Sequence, residues 1–170
     1  CATVTVTPAG LSFPKTVVVD FGTGCTNQYY PYFDLVTRKG KVTAIFTDYL
    51  HHPGAHVHVT FDNYYVNDAK VEGIYDLANT TTLSDTTRTF KDTISDGKVT
   101  ATDGRVCTWN AMRYSTQTAG FGTALTLMDD EYTGGGQSSG IGFNGKGFDA
   151  VSANILWKLA CRWLVSGTVT

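Results

Sequence analysis

All four histidines of the chain fall within eight residues, His51-His52-Pro53-Gly54-Ala55-His56-Val57-His58. On an extended strand His56 and His58 point to one face, and a Pro-Gly turn can swing His51 or His52 towards them. Three imidazoles meeting in this way suit a borderline divalent metal such as zinc, copper or nickel, so all four are candidate ligands. A cupin-like His-x-His reading is weaker, because no Glu follows at useful distance and the next carboxylate along the chain is Asp62. The plainer alternative is a Thr-rich, solvent-facing hairpin that carries histidines.

A second cluster, Asp129-Asp130-Glu131, lies beside Tyr132 and Gly134 to Gly136. Carboxylates on a loop with free carbonyls can ligate calcium, whose oxygen coordination is flexible, although a solvated acidic turn explains them as well. Asp62, Asn63, Asn67 and Asp68 offer oxygens too, but Asx side chains also close turns on their own backbone. Tyr29, Tyr30, Tyr32 and Phe33 flank Pro31 on an expected loop, where aromatics form a contact platform for sugar rings or another protein. Trp109, Trp157 and Trp163 fall on expected strands and are read as core.

Catalysis has little to draw on. Only Glu72 and Glu131 are glutamates, and the chain has no Gly-x-Ser-x-Gly elbow and no phosphate loop. No catalytic residue is assigned, and no cofactor is expected beyond the candidate divalent metal. Lys plus Arg number 13 against 15 Asp plus Glu, without a basic stripe, which argues against nucleic acid as a partner.

The elements that must position these residues follow from composition. Charged residues make up 16% of the 170, whereas 27 are Thr, 18 are Gly and 12% are aromatic. Thr and aromatic side chains suit a pleated, half-buried surface, and hydroxyls replace the Lys and Glu of a typical cytosolic exterior. An extracellular or cell-surface β protein is expected. No apolar run reaches membrane-span length, and a chain opening at Cys1 is read as processed or cut.

Cys1, Cys25, Cys107 and Cys161 form no C-x-x-C pair, which favours two disulfides over zinc or redox motifs. Residues 2–6 and 16–21 can form a hairpin whose open end carries Cys1 and Cys25, leaving Cys107 to pair with Cys161. The competing reading of Cys1 is a lipid-modified N-terminus.

Period-two alternation predicts strands over 2–7, 16–21, 41–49, 56–61, 71–77, 86–94, 98–102, 106–114 and 124–128. Turns are expected at His52-Pro53-Gly54, Asn67-Asp68, Asp96-Gly97 and Asp103-Gly104, and a long glycine-rich loop over 134–147. Residues 149–167 fit a helix or a strand. The strand is preferred, because Ile155, Trp157, Leu159, Cys161, Trp163 and Val165 then share one face. These elements predict one domain over 1–170, an all-β antiparallel β-sandwich, Ig-like or jelly-roll-like, stapled by two disulfides.

In order and spacing, Phe13-Pro14-Lys15-Thr16-Val17-Val18-Val19-Asp20-Phe21-Gly22, Thr37-Arg38-Lys39-Gly40-Lys41, Thr60-Phe61-Asp62-Asn63-Tyr64-Tyr65-Val66-Asn67 and Lys158-Leu159-Ala160-Cys161-Arg162-Trp163 resemble a family. It is a family of uncharacterised β-rich secreted and cell-envelope proteins, often classed as lipoproteins, of Bacteroidota-type bacteria. The resemblance implies location and fold rather than activity. The chain departs from the family at its aromatic run over 29–33, at its histidines, and in lacking a further Cys-containing stretch after Thr170. Asp85-Thr86-Thr87 and Asp92-Thr93-Ile94 resemble the Asp-Thr-apolar O-glycan acceptors of such bacteria, which makes Thr86 and Thr93 candidate O-glycosylation sites. Asn79-Thr80-Thr81 is an N-glycan acceptor only in a eukaryotic secretory pathway.

The leading functional expectation is a secreted or cell-surface structural protein that polymerises by β-strand addition at its Thr-Val terminal segments, with a second copy as partner. The alternatives are an extracellular carbohydrate- or protein-binding module whose partner is a surface glycan or protein, and a His-rich metal-binding protein.

Overall fold

The computed structural model describes residues 1–27, 35–82, 87–121, 127–161 and 163–170. The strands are β1 (Thr3–Thr7), β2 (Lys15–Asp20), β3 (Cys25–Asn27), β4 (Val36–Phe46), β5 (His56–Val66) and β6 (Ala69–Asn79). They continue as β7 (Thr89–Thr100), β8 (Val106–Ala119), β9 (Glu131–Ile141), β10 (Gly147–Lys158) and β11 (Ser166–Val169). Leu127–Asp129 forms a 3-10 turn. All the strands join one antiparallel sheet in the order β1-β2-β4-β5-β6-β7-β8-β9-β10-β11, with β3 pairing β4 beside that path. The expected all-β class is observed. In place of two stacked sheets there is one continuous up-and-down sheet.

Residues paired across antiparallel strands project to the same face, so the register exposes the pattern. One row runs Val6, Val17, Ala44, Val59, Tyr75, Ile94, Ala111, Ser138, Ala150. The next on that face runs Phe46, Val57, Leu77, Asp92, Arg113, Gly136, Ser152, Val169. On the opposite face a row reads Thr7, Thr16, Ile45, His58, Asp76, Thr93, Met112, Gln137, Val151. One face is thus apolar at its centre and the other rich in hydroxyls and charges.

The apolar face is only partly covered. Among described residues the buried hydrophobic side chains are Cys25, Ala55, Val57, Tyr64 and Ile155. The accessible surface is 10620 Å², against about 8,200 Å² for a compact chain of this mass.

Bulges coil the sheet. Asn63 (φ 45°), Asp96 (φ 52°) and Asn154 (φ 53°) sit where the register of β5, β7 and β10 shifts. Such residues increase local twist, and a sheet of this many strands curls rather than staying flat. The Asp96-Gly97 turn is therefore corrected to a bulge: it fuses the two segments expected at 86–94 and 98–102 into β7. Gly97 is required there because a Cβ would lie 2.8 Å from both Ile94 and Trp109 side-chain atoms. Asn67 (φ 48°) and Asp68 (φ 64°) make the expected two-residue hairpin turn between β5 and β6, as left-handed residues do in that turn type.

Two further expectations change. The glycine-rich loop over 134–147 begins as strand β9, where a Cβ on Gly134 would stand 2.0 Å from the Tyr114 carbonyl oxygen, and one on Gly140 1.9 Å from that of Thr108. The strand expected over 124–128 gives way at its end to the 3-10 turn, and 122–126 lie outside the described residues. The C-terminal segment is extended, as preferred, but breaks after Lys158 into a turn before β11.

Cys1 and Cys25 form a disulfide, as the hairpin argument expects. Cys107 and Cys161 do not pair; both are free. The reason is strand polarity. Thr108 pairs with Ile141, and Ile141 with Gly147 at the start of β10, whereas Cys161 follows the far end of that strand. Eleven residues at about 3.3 Å each separate the two ends by roughly 35 Å, far beyond disulfide reach. The second staple is thereby removed.

Candidate functional site

The curled apolar face encloses a cleft of about 700 Å³ bordered by strands β6 to β11 and by Leu50. That volume falls within the usual range of small-molecule sites, about 300 to 1,000 Å³. Its wall is aromatic. Tyr132 and Trp157, directly opposed on β9 and β10, stack with ring centroids 5.8 Å apart and planes 14° from parallel. Phe90 meets the Tyr132 ring edge-on at 6.2 Å.

The floor carries an ion pair where alternation calls for apolar residues. Asp92 on β7 and Arg113 on β8 are direct cross-strand partners. Arg113 donates Nε–H at 2.7 Å and holds Nη2 at 2.6 Å, both to Asp92 Oδ2. The Asp92 side chain is 14% exposed and that of Arg113 51%. Oδ1 of Asp92 and Nη1 of Arg113 have no second partner among the described residues. Tyr75 stands beside them. Burial, reinforced by the Asp92 charge, raises its phenol above the ordinary tyrosine value and keeps it protonated, with Arg113 opposing.

A buried polar network lies at the Tyr132 end of the cleft. Gln117, with no exposed surface, donates Nε2–H to Asp130 Oδ1 at 2.8 Å and to the Ala119 carbonyl at 3.0 Å. The Tyr132 hydroxyl donates to Asp130 Oδ2 at 3.3 Å, and burial followed by the Asp130 charge raises its pKa.

The other candidate residues are distributed over the molecule. His56 and His58 project from β5 on the polar face and share Asp76, His58 Nδ1 at 2.7 Å and His56 Nε2 at 3.3 Å from its Oδ1. His51 and His52 lie edge-to-face in the preceding turn beside Tyr49, with His52 Nδ1 3.0 Å from Asp48 Oδ2. Asn79 anchors that turn by donating to the Leu50 carbonyl at 2.9 Å. The histidines thus form two pairs, each with its own carboxylate. Among the described residues no group of three or more His, Cys, Asp or Glu is placed to hold a metal ion.

Asp129 ends the 3-10 turn, Asp130 is committed to Gln117 and Tyr132, and Glu131 pairs with Lys158 across β9 and β10. Asn67 accepts the Thr37 amide at 2.9 Å, and Asp68 pairs with Lys39 at 2.6 Å. Thr93 sits in the middle of β7 between Asp76 and Met112. Tyr29, Tyr30, Tyr32, Phe33 and Thr86 lie outside the described residues. Trp163 is 70% exposed, which corrects its assignment to the core, whereas Trp109 and Trp157 are half-buried.

The cleft residues Tyr75, Asp92, Arg113 and Tyr132 carry no motif. Their signal was a break in alternation: Asp92 stands between Phe90 and Ile94, and Arg113 between Ala111 and Ser115, at positions that face inward.

These features define an all-β protein with a single meandering sheet, one disulfide and an aromatic cleft on its inner face. No family model, curated protein or solved structure matches the chain. Among the described residues no helix is long and apolar enough to cross a membrane.

Proposed function

We propose that this is a secreted or cell-surface assembly protein whose copies join by β-strand addition at the terminal strands. The observation that supports this reading is the matched chemistry of the two outer strands. Among the described residues each pairs on one side only, β1 with β2 and β11 with β10. Val4 (60% exposed), Val6 (45%) and Val169 (65%) extend the apolar face to both edges, while Thr3, Thr5, Thr7 and Thr168 continue the hydroxyl face. An unpaired edge offers its backbone groups to another strand, and matched faces select the register.

Strand direction agrees. Ten strands alternate along the sheet path, so β1 and β11 run oppositely, and a following copy in the same orientation continues the antiparallel alternation. An extracellular setting accords with the Cys1–Cys25 disulfide.

The test is light scattering and negative-stain microscopy of the 170-residue protein and a Val4→Lys, Val169→Lys variant. Concentration-dependent oligomers or filaments that the inward-pointing charges abolish are expected. A protein that stays monomeric at all concentrations overturns the proposal.

A further inference from the structure

We propose that the cleft between β6 and β11 is a binding site for a neutral sugar, one or a few pyranose rings long, seated on Trp157 and Tyr132 and hydrogen-bonded by Asp92, Arg113 and Tyr75. The ligand-contacting groups lie on β6 to β10 and differ from the edge residues invoked for assembly, although Val169 of β11 borders the cleft.

Three observations select this ligand class. The first is the wall: half-buried Trp157 and Tyr132, with Phe90 edge-on to Tyr132, give flat π surface of the kind that packs on the C–H face of a sugar ring.

The second is the set of unspent polar groups. Both donors from Arg113 converge on one oxygen of Asp92, leaving the other carboxylate oxygen and Nη1 available. The Tyr75 and Ser115 hydroxyls and the Trp157 indole N–H also line the cleft without a hydrogen bond among the described residues. Among the described residues no buried side-chain nitrogen or oxygen lacks a partner, so these unbonded groups are accessible to a ligand. An acyl chain would desolvate all of them and return nothing, whereas vicinal hydroxyls donate and accept at once.

The third is charge. Asp92 pairs with Arg113 and the lining Lys158 with Glu131, so each charge at the cleft is countered, and a neutral ligand meets no unpaired charge. A site that aims donor and acceptor together from a fixed ion pair discriminates hydroxyl-bearing rings from apolar ones of the same size.

The experiment is calorimetric titration of the 170-residue protein with maltotriose, cellotriose, mannotriose and triacetylchitotriose, with palmitate as the apolar control, repeated on three variants. Saturable binding of at least one trisaccharide is expected. It should weaken by about tenfold or more in Asp92→Asn and Trp157→Ala, and by about fivefold in Tyr75→Phe, which removes one hydroxyl and leaves the ring to pack. Circular dichroism identifies any variant that fails to fold, and Tyr75→Phe then decides. Silence from all four sugars up to millimolar concentration overturns the inference. So does saturable binding of palmitate in their place, or sugar binding that Tyr75→Phe and Asp92→Asn leave unchanged.

Discussion

Gln117 and Asp130 meet at 2.8 Å, the amide donating to the carboxylate, with 0% and 6% of their surfaces exposed. The register slips between Gln117 and Ala119 opposite this pair, and Gly120 lies so close that a Cβ would stand 2.1 Å from Asp130 Oδ1. A buried carboxylate is tolerated because Gln117 and Tyr132 both donate to it. Gln117→Leu strips one donor and is expected to cost about 2 to 4 kcal/mol in chemical denaturation. A loss under about 0.5 kcal/mol, typical of a surface change, would show that the carboxylate finds water instead.

The glycines of β9 separate steric need from flexibility. A Cβ at Gly140 would meet a backbone oxygen at 1.9 Å, whereas at Gly147 the nearest atom is 3.8 Å away and the backbone is not left-handed. Gly140→Ala should lower stability by about 3 kcal/mol or more through overpacking against the neighbouring strand, and Gly147→Ala should be near neutral. Equal effects on melting temperature would mean that β9 is not packed in this register.

Thiol counting tests the cysteine assignment. The native protein should show two titratable thiols per chain and the reduced protein four, since only Cys1 and Cys25 are bridged. Closing a loop of sequence separation 24 contributes about 3.5 kcal/mol on the chain-entropy account, so reductant should lower the melting temperature by about 10 °C. Native material with no free thiol by mass spectrometry would contradict the 35 Å estimate of separation between the ends of β10.

Two tyrosines should ionise late. Tyr75 and Tyr132 are raised by burial first and by Asp92 and Asp130 respectively. Their folded values exceed the unfolded one, so the associated stability is complete below about pH 10 and is lost as pH rises through the folded values. Ultraviolet titration should show a delayed fraction that unfolding abolishes, and that shrinks in Tyr75→Phe. A titration with no delayed fraction would place both rings in solvent.

Alternation in the sequence determined the strands wherever side chains report it: β1, β2, β5 and β6 are legible as Val, Thr and aromatic residues at period two, and Asn67-Asp68 as their turn. It also determined the Cys1–Cys25 bridge, because a short hairpin fixes both ends locally. Glycines 134 to 136 have no side chain to alternate, so their local pattern is that of a loop, and only pairing with β8 and β10, whose carbonyls press on them, makes this segment β9. Asp96-Gly97 allows a turn or a bulge with equal local ease, and the packing of Ile94 and Trp109 chose the bulge. Whether strands share one sheet or stack as two, whether Cys107 reaches Cys161, and which charges stand together on the inner face are long-range relations. Local pattern is silent on them because they depend on how register and coiling accumulate over ten strands. Tertiary structure alone brought Asp92, Arg113, Tyr75 and Trp157 into one cleft.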